Sequence, residues 1–218
     1  MITQTEENYI KAIYHLGQQG METVSTNAIA DSLNTKASSV TDMLKKLAEK
    51  NYADYIKYQG VILTKKGKKI AVGIIRKHRL WEVFLVEKLN FTWDEVHEVA
   101  EDLEHIQSEK LTDELDAFLE HPTHDPHGDP IPDKNGNFKQ IEKILLSKAL
   151  VGSKYQCVGV KDTSSTFLKY LDANEIALGT ELKVLHKEPF DQSIKIKLNG
   201  LDTTVSQNVA KNIFLKTL

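Results

Sequence analysis

The chain has one cysteine, Cys157, in 218 residues, so no intrachain disulfide can form and no thiolate cluster can hold zinc. No nucleophile motif surrounds it, and a buried structural thiol is its expected role. Long apolar runs are also missing: no stretch approaches the ~18 consecutive apolar residues of a membrane helix. Met1 is followed by polar Thr3-Gln4-Thr5-Glu6, without the basic and then apolar segments of a secretory leader. A cytoplasmic protein with no membrane partner is the expectation. Internal repeats, low-complexity tracts, a Gly-x-Ser-x-Gly elbow, a phosphate loop and a dinucleotide fingerprint are likewise missing. What is present is 40% hydrophobic and 27% charged, which excludes disorder as the main theme and suffices for one large or two to three small domains.

The net charge of -3 conceals two blocks of opposite sign. From Lys36 to Arg79 there are 12 Lys and Arg against 3 Asp and Glu, whereas from Trp93 to Asp133 there is 1 basic residue against 14 acidic ones. A basic block attracts polyanions such as nucleic acid. The acidic block also holds His97, His105, His121, His124 and His127, five of the eight histidines, and such a set attracts metal cations.

Within the basic block and just before it, local patterns predict a compact helical unit. Thr3 and Glu6 form a capping box ahead of Tyr9, Ile10, Ile13 and Leu16 at helical spacing. Ser25 caps a second short helix, Asn34-Thr35 makes a turn, and a third helix turns Val40, Leu44 and Leu47 inward. Two β-prone stretches, Tyr52–Ile56 and Val61–Thr64, then flank Tyr58-Gln59-Gly60 as a small hairpin. This is the order of a winged helix-turn-helix, whose last helix enters the major groove of double-stranded DNA. On that helix Ser38, Ser39 and Thr41 face outward to meet phosphates or base edges, and Asp42 shares that outward face as a further DNA-contact candidate. Lys36, Lys45, Lys46 and, in the hairpin, Lys57 supply phosphate contacts. The plain alternative is a three-helix bundle with a solvated lysine surface.

The pattern is helical again from Lys65 to about Leu89, and a new helix is predicted from Thr92, capped by its hydroxyl with Glu95 at the third position. On it His97, Glu101, Glu104 and His105 fall at i, i+4, i+7 and i+8, within an arc of roughly 100°. Val96, Val99, Ala100 and Leu103 form the adjoining apolar face, so the stripe borders the core. The preceding helix offers His78 and Glu82, again one turn apart. Two helices each presenting His and Glu, without thiolate, suit Mn²⁺, Fe²⁺, Co²⁺ or Zn²⁺, and the carboxylate content tilts toward Mn²⁺ and Fe²⁺. A metal-dependent hydrolase or oxidase is the rival reading. It lacks support because Glu-x-x-His is not duplicated and His97-Glu98 is followed by Glu101 where a zincin has its second histidine. A further rival is a constitutive DNA-binding protein whose acidic helices only dimerise.

Residues 121–137 hold four of the five prolines and two glycines, the texture of a loop or interdomain linker. After about Ser147 come β-type stretches, Tyr155–Val160, Glu181–Leu185, Ser193–Leu198 and Thr203–Val205, interrupted by an amphipathic helix at Ser165–Leu171. A small barrel-like domain is the economical reading.

Several of these segments resemble the diphtheria-toxin-repressor and manganese-transport-regulator family of metal-dependent transcriptional repressors. They are Thr5-Glu6-Glu7-Asn8-Tyr9-Ile10 with Ile13-Tyr14, Ser38-Ser39-Val40-Thr41, Leu63-Thr64-Lys65-Lys66-Gly67, Arg76-Lys77-His78-Arg79-Leu80-Trp81-Glu82, Val96-His97 through Glu104-His105-Ile106, and His127-Gly128-Asp129-Pro130-Ile131-Pro132. The resemblance runs over nearly the whole chain. It implies a winged helix-turn-helix over 1–72, a helical dimerisation and metal-binding domain over 73–140 and an SH3-like β domain over 148–218, in a mainly α chain with a β C-terminus. It further implies a homodimer that reads a palindromic operator when metal is bound, with half-sites one helical turn, about 34 Å, or a multiple apart. His78, Glu82, His97, Glu101, Glu104 and His105 fall on the family's ligand positions. Glu101 stands where the iron-responsive branch has cysteine and the manganese-responsive branch a carboxylate, which leans the reading to Mn²⁺. Asn8 matches a Met or Asp ligand, and Lys11 stands where one manganese-type pattern has an acid. Asp125, His127 and Asp162 are the candidates for an ancillary site.

Overall fold

The computed structural model describes residues 2–56, 58–139 and 141–218. They fall into two compact units, one reaching through His78 and including Glu101–Glu114 and Pro132–Asn137, the other made of Arg79–Ala100, Leu115–Ile131 and Phe138–Leu218. Lys57, expected to contact DNA, lies outside the described residues.

In the first unit, helix α1 (Gln4–Leu16) starts at the predicted capping box: the Thr3 hydroxyl accepts from the Glu6 amide, and the Glu6 carboxylate accepts from the Thr3 amide at 3.0 Å. This satisfies amides that the first turn leaves without helical acceptors. Helix α2 (Thr26–Ser32) is capped by Ser25, and Asn34 takes the left-handed turn (φ 46°) into α3 (Ala37–Glu49). On α3, Val40, Leu44 and Leu47 are fully buried at the spacing of one helix face. Strands β1 (Ala53–Ile56) and β2 (Gly60–Leu63) pair antiparallel as the wing. Helix α4 (Lys65–Leu89) follows at once, its start fixed by the Thr64 hydroxyl accepting from the Gly67 amide at 3.1 Å. A Cβ on Gly67 would lie 1.9 Å from the Tyr52 carbonyl oxygen, so only glycine lets α4 leave the wing this closely. Ala71 and Ile75 of α4 join the residues of α1 to α3 and the wing in one core.

Helix α5 (Val96–Leu103) begins four residues later than its predicted start. The Thr92 hydroxyl is engaged with Asp94 at 2.8 Å, and the Glu95 carboxylate accepts from the Thr92 amide at 3.1 Å, so residues 92–95 form a turn closed on itself. The helix also stops early, which leaves Glu104 and His105 in the turn that follows it. After α6 (Glu109–Phe118) comes the proline-rich loop. It is a packed loop and not a free linker: His124 bridges Pro130, Ile131 is buried with Leu80, Val83, Leu115 and Leu119, and Asp125 and His127 are buried too.

The C-terminal part is a six-stranded antiparallel sheet in the order β3-β8-β4-β5-β6-β7, built from β3 (Ile144–Leu145), β4 (Lys154–Val160), β5 (Glu181–Lys187), β6 (Ile194–Leu198), β7 (Leu201–Val205) and β8 (Ile213–Thr217). Strand β6 shows the alternation that orients the sheet, with Ile194, Ile196 and Leu198 inward and Lys195 and Lys197 outward. Helices α7 (Ser165–Ala173) and α8 (Gln207–Ala210) supply Leu168, Leu171, Val209 and Ala210 to the same core. Cys157 is buried in that core, and burial pushes its thiol up to about 11, in keeping with a structural role. The β structure begins at Ile144, ahead of the expected change of texture, because the two residues of β3 pair with β8, a strand the sequence pattern did not reveal.

Candidate metal centres

Two acidic clusters arise, one in each unit, and they are built differently. In the second unit Glu82 projects from the middle of α4, while Asp125 and His127 come from the proline-rich loop. One ligand atom from each lies within 4.8 Å of the others, and all three residues are buried. The loop reaches this depth because it is clamped at its tip. The Asp125 Oδ1 accepts from the amides of His127 and Asp129, both at 2.9 Å, and the His127 carbonyl accepts from the Val160 amide of β4 at 2.9 Å. Gly128, at φ +83°, passes so near β4 that a Cβ there would lie 2.1 Å from the Val158 carbonyl oxygen.

The His127 ring is oriented by its far nitrogen. Nε2 donates to the Trp93 carbonyl at 2.7 Å, and the indole of Trp93 lies near-parallel to the imidazole with 6.3 Å between centroids. With Nε2 engaged by that carbonyl, the ring turns Nδ1 toward Glu82, whose Oε2 is 3.6 Å away. A backbone carbonyl behind a ligating imidazole is a common way to fix the tautomer a metal needs. His97, on the exposed side of α5, brings its Nδ1 to 3.5 Å from Glu82 Oε1.

This cluster is under electrostatic stress. Burial, with the charges of Glu82 and Asp129, pushes the Asp125 carboxyl up to about 7 against the opposing pull of Arg79. Arg79 Nε is 3.4 Å from Asp125 Oδ2, and its guanidinium also donates to the Pro130 carbonyl. For His127, burial works against the charged form, but the hydrogen bond and charge of Glu82 outweigh it and raise the imidazole above its ordinary value. A carboxylate pair and an imidazole held together in a buried site, without thiolate, fit a divalent first-row ion: a cation would supply the charge that one arginine only partly supplies.

The first unit holds the other cluster. Glu104 is fully buried. Its Oε1 accepts from the Lys11 ammonium at 2.6 Å and its Oε2 meets His78 Nδ1 at 2.7 Å. The same ammonium donates to Glu101 Oε1 at 2.6 Å. Glu7, also buried, meets His105 Nδ1 at 2.6 Å and accepts from the Gln107 amide at 2.6 Å. Burial alone would raise the Glu104 carboxyl, but the His78 hydrogen bond and the Lys11 charge overcome it and hold it below the usual range. The Asn8 Oδ1 is buried with no hydrogen-bond partner. His78 and Glu82, one turn apart on α4, therefore serve different clusters.

On α3, Lys36, Ser38, Ser39, Asp42, Lys45 and Lys46 are exposed. Thr41 is half-buried and its hydroxyl donates to the Ala37 carbonyl at 3.0 Å, which leaves its oxygen as an acceptor. Asp42 and Lys45 form an exposed pair at 3.2 Å.

Residues 1–61 match the N-terminal DNA-binding domain of iron-dependent repressors, residues 64–133 their metal-binding and dimerisation domain, and residues 144–217 the FeoA domain. A manganese-dependent transcriptional repressor solved in complex with manganese superposes with a TM-score of 0.84 at 32% identity, covering 98% of this chain and 100% of that one. This chain belongs to the iron- and manganese-dependent repressor family. The HTH-type transcriptional regulator MntR of Oceanobacillus iheyensis is 34% identical over 66% of this chain and 91% of its own length. The iron-dependent repressor IdeR of Mycobacterium tuberculosis is 32% identical over 60% of this chain, and the match spans 56% of that repressor. The family consists of transcriptional regulators, not enzymes, which removes the hydrolase or oxidase alternative.

Of the expected ligands, Glu82, Asp125 and His127 come together, as do His78, Glu101, Glu104 and His105. His97 reaches Glu82 from a largely exposed position. Asp162 stands apart from the three-residue group: it is half-buried, two residues beyond β4, and its Oδ1 accepts from the Ser164 amide at 2.9 Å. Residue patterns did not place Gln107 or the Trp93 carbonyl in a centre, whereas Lys11 was marked through the resemblance as standing where one pattern has an acid, and Glu7 lies beside the expected ligand Asn8. The α1 pair had a signal, since Glu7 and Lys11 lie one turn apart on a capped helix. A backbone carbonyl leaves none.

Proposed function

We propose that this chain is a metal-dependent transcriptional repressor that acts as a homodimer on a palindromic duplex and responds to Mn²⁺, or to Fe²⁺ in its place. The observation that carries the reading is the buried Glu82, Asp125 and His127 triad, in a chain that also carries a winged helix-turn-helix whose α3 exposes Lys45 and Lys46, with Lys36 exposed just before it. A bound divalent ion would supply the positive charge that these carboxylates lack. Glu82, Asp125 and His127 Nδ1 are the groups that would hold it, with His97 beside Glu82. The oxygen-rich donor set favours the harder ions, and the related repressor solved with manganese supports Mn²⁺.

On DNA, Ser38 and Ser39 are the side chains offered for base edges or phosphates, and Lys36, Lys45 and Lys46 those for phosphates. DNA binding by such a protein belongs in the cytoplasm. Switching a population from 1:99 to 99:1 in favour of the DNA-ready dimer needs about 5.5 kcal/mol of differential metal affinity. By reciprocity, operator DNA must then tighten metal binding by the same factor.

The test is duplex affinity, at fixed salt, for a sequence selected from a random pool in Mn²⁺. Chelation is expected to weaken it at least tenfold, and Glu82→Gln with His127→Ala to make the protein indifferent to Mn²⁺. Affinity unchanged by chelator and by the double variant would refute the reading.

A further inference from the structure

In the cluster of the first unit a cation is already in place, and it belongs to the chain. The Lys11 ammonium donates to Glu101 and Glu104 at 2.6 Å each, the short distance of charge-assisted bonds. Its side chain is only 15% exposed, and a lysine is buried to that degree when it is paired. The other oxygens of Glu104 and Glu7 are committed as well, to His78, His105 and Gln107. The Glu104 carboxyl is held low here, the opposite of what befalls Asp125 in the other cluster. A divalent ion and an ammonium cannot occupy the space between the same two oxygens, because each would sit at contact distance from a like charge. The donor set that family membership implies at this position therefore does not fit a metal while Lys11 stays where it is. Among the described residues, the buried Asn8 Oδ1 of α1 is an acceptor without a hydrogen-bond partner.

We propose that Lys11 is a resident counter-cation that competes with divalent metal for Glu101 and Glu104, so that this chain binds metal tightly at the Glu82, Asp125 and His127 centre and weakly at the α1 cluster. Lys11 thereby sets the number of ions held at physiological concentration. It also ties α1 to the end of α5 through the chain's own charges. The inference goes beyond the repressor reading and needs only metal binding, not DNA.

The experiment is a Mn²⁺ titration by calorimetry and by electron paramagnetic resonance on the full chain in the Glu82→Gln, His127→Ala background, where the other centre is disabled. Adding Lys11→Met should create a Mn²⁺ site at least tenfold tighter than the background shows. Lys11→Arg, which keeps the charge, should not. Should Lys11→Met fail to fold, Lys11→Gln is titrated in its place, with the same gain expected. Thermal melting gives a second readout: the Lys11→Met or Lys11→Gln protein should melt below its background without metal and regain the loss in Mn²⁺. The proposal is overturned if the neutral variants leave Mn²⁺ affinity unchanged or weaken it, or if Lys11→Arg gains a site as they do. Those results would leave the Glu82-centred switch untouched, whereas DNA affinity indifferent to chelation would sink the switch and leave this proposal standing.

Discussion

The two acidic clusters share a composition and differ in how their charge is met. Around Glu104 the chain supplies its own ammonium, and every oxygen of Glu104 and Glu7 has a partner. Around Asp125 it supplies an arginine at 3.4 Å from one oxygen and leaves Glu82 facing two imidazoles and another carboxylate. One cluster is closed by the chain's own ammonium, and the other is the one that the proposed function completes with an added cation. Carboxylate content alone does not identify a metal site; the informative feature is a buried carboxylate whose charge the protein has answered only in part.

The sharpest way to break this contrast is to remove ligands of the unfinished cluster. His127→Ala deletes the imidazole whose Nε2 is held by the Trp93 carbonyl, and Glu82→Gln halves the carboxylate charge. Either should lower Mn²⁺ affinity by about 100-fold or more, since even outer partners of ligands are typically worth 10–100-fold. Calorimetry on the metal-free protein reads the loss directly. Retention of wild-type affinity in both variants would mean that the buried triad is not the centre.

Gly128→Ala attacks the same cluster through the backbone. The new Cβ would meet β4 at 2.1 Å from an oxygen and 2.4 Å from the Gly159 Cα, at a φ of +83° that alanine rarely adopts. The loop must lift, and Asp125 and His127 with it. A destabilisation of roughly 3 kcal/mol is expected, from backbone strain and poorer packing together, with Mn²⁺ affinity falling in parallel. Thermal melting and titration of the one variant check both. An unchanged melting temperature would show that the clamp on β4 is loose.

How much of this was legible beforehand follows from where each signal resides. Local rules carried the first unit: the capping box at Thr3, the Ser25 cap, the turn at Asn34 and the inward face of α3 all depend on residues within a turn of one another. Helix α4 was readable from Lys65 to Leu89 for the same reason. The start of α5 was not, because Thr92, Asp94 and Glu95 close their own turn, an alternative that capping residues always offer. Strand β8 gave no isolated signal and exists through its pairing with β3 and β4. The candidate ligands were found by residue type, yet their sorting into two clusters was not. His78 and Glu82 look like one pair by spacing, and only tertiary contacts assign the first to Glu104 and the second to His127. Lys11 looked like a misfit by resemblance, and its 2.6 Å contacts give that misfit a physical role.

Acid and base should separate the clusters in metal-free protein. The Glu104 carboxyl is lowered on folding, so its contribution is present above its unfolded value near 4.5 and is lost as the pH falls. The Asp125 carboxyl is raised from 3.8 to about 7 by burial and by Glu82 and Asp129, so its contribution is present at low pH and disappears as the pH rises through 7. His127, raised as well, acts in the same direction. The cost of ionising Asp125 is on the order of a few kcal/mol. Melting temperature in chelator should therefore fall between pH 5 and 8, and Mn²⁺ should flatten the decline by pairing with the ionised carboxylate. Glu82→Gln should flatten it without metal, whereas Lys11→Met should leave the alkaline decline in place and shrink the loss below pH 5, because the Glu104 carboxyl is then no longer held down by the ammonium.

The smallest effect concerns the same kind of side chain in a different setting. Lys46 on α3 is exposed and is assigned to a phosphate, so its ammonium is as well solvated without DNA as Lys11 is paired without metal. Removing it leaves nothing buried and unanswered, and Lys46→Ala should cost folding stability no more than a few tenths of a kcal/mol. Its effect belongs to binding: duplex affinity should drop severalfold, roughly uniformly across sequences, and the slope of log affinity against log salt should flatten by about 0.9 for each phosphate no longer neutralised. Mn²⁺ titration of Lys46→Ala should match the parent protein. A lysine that alters the salt slope but not metal affinity, beside one that alters metal affinity in the absence of DNA, separates a charge displayed for a partner from a charge used within the fold.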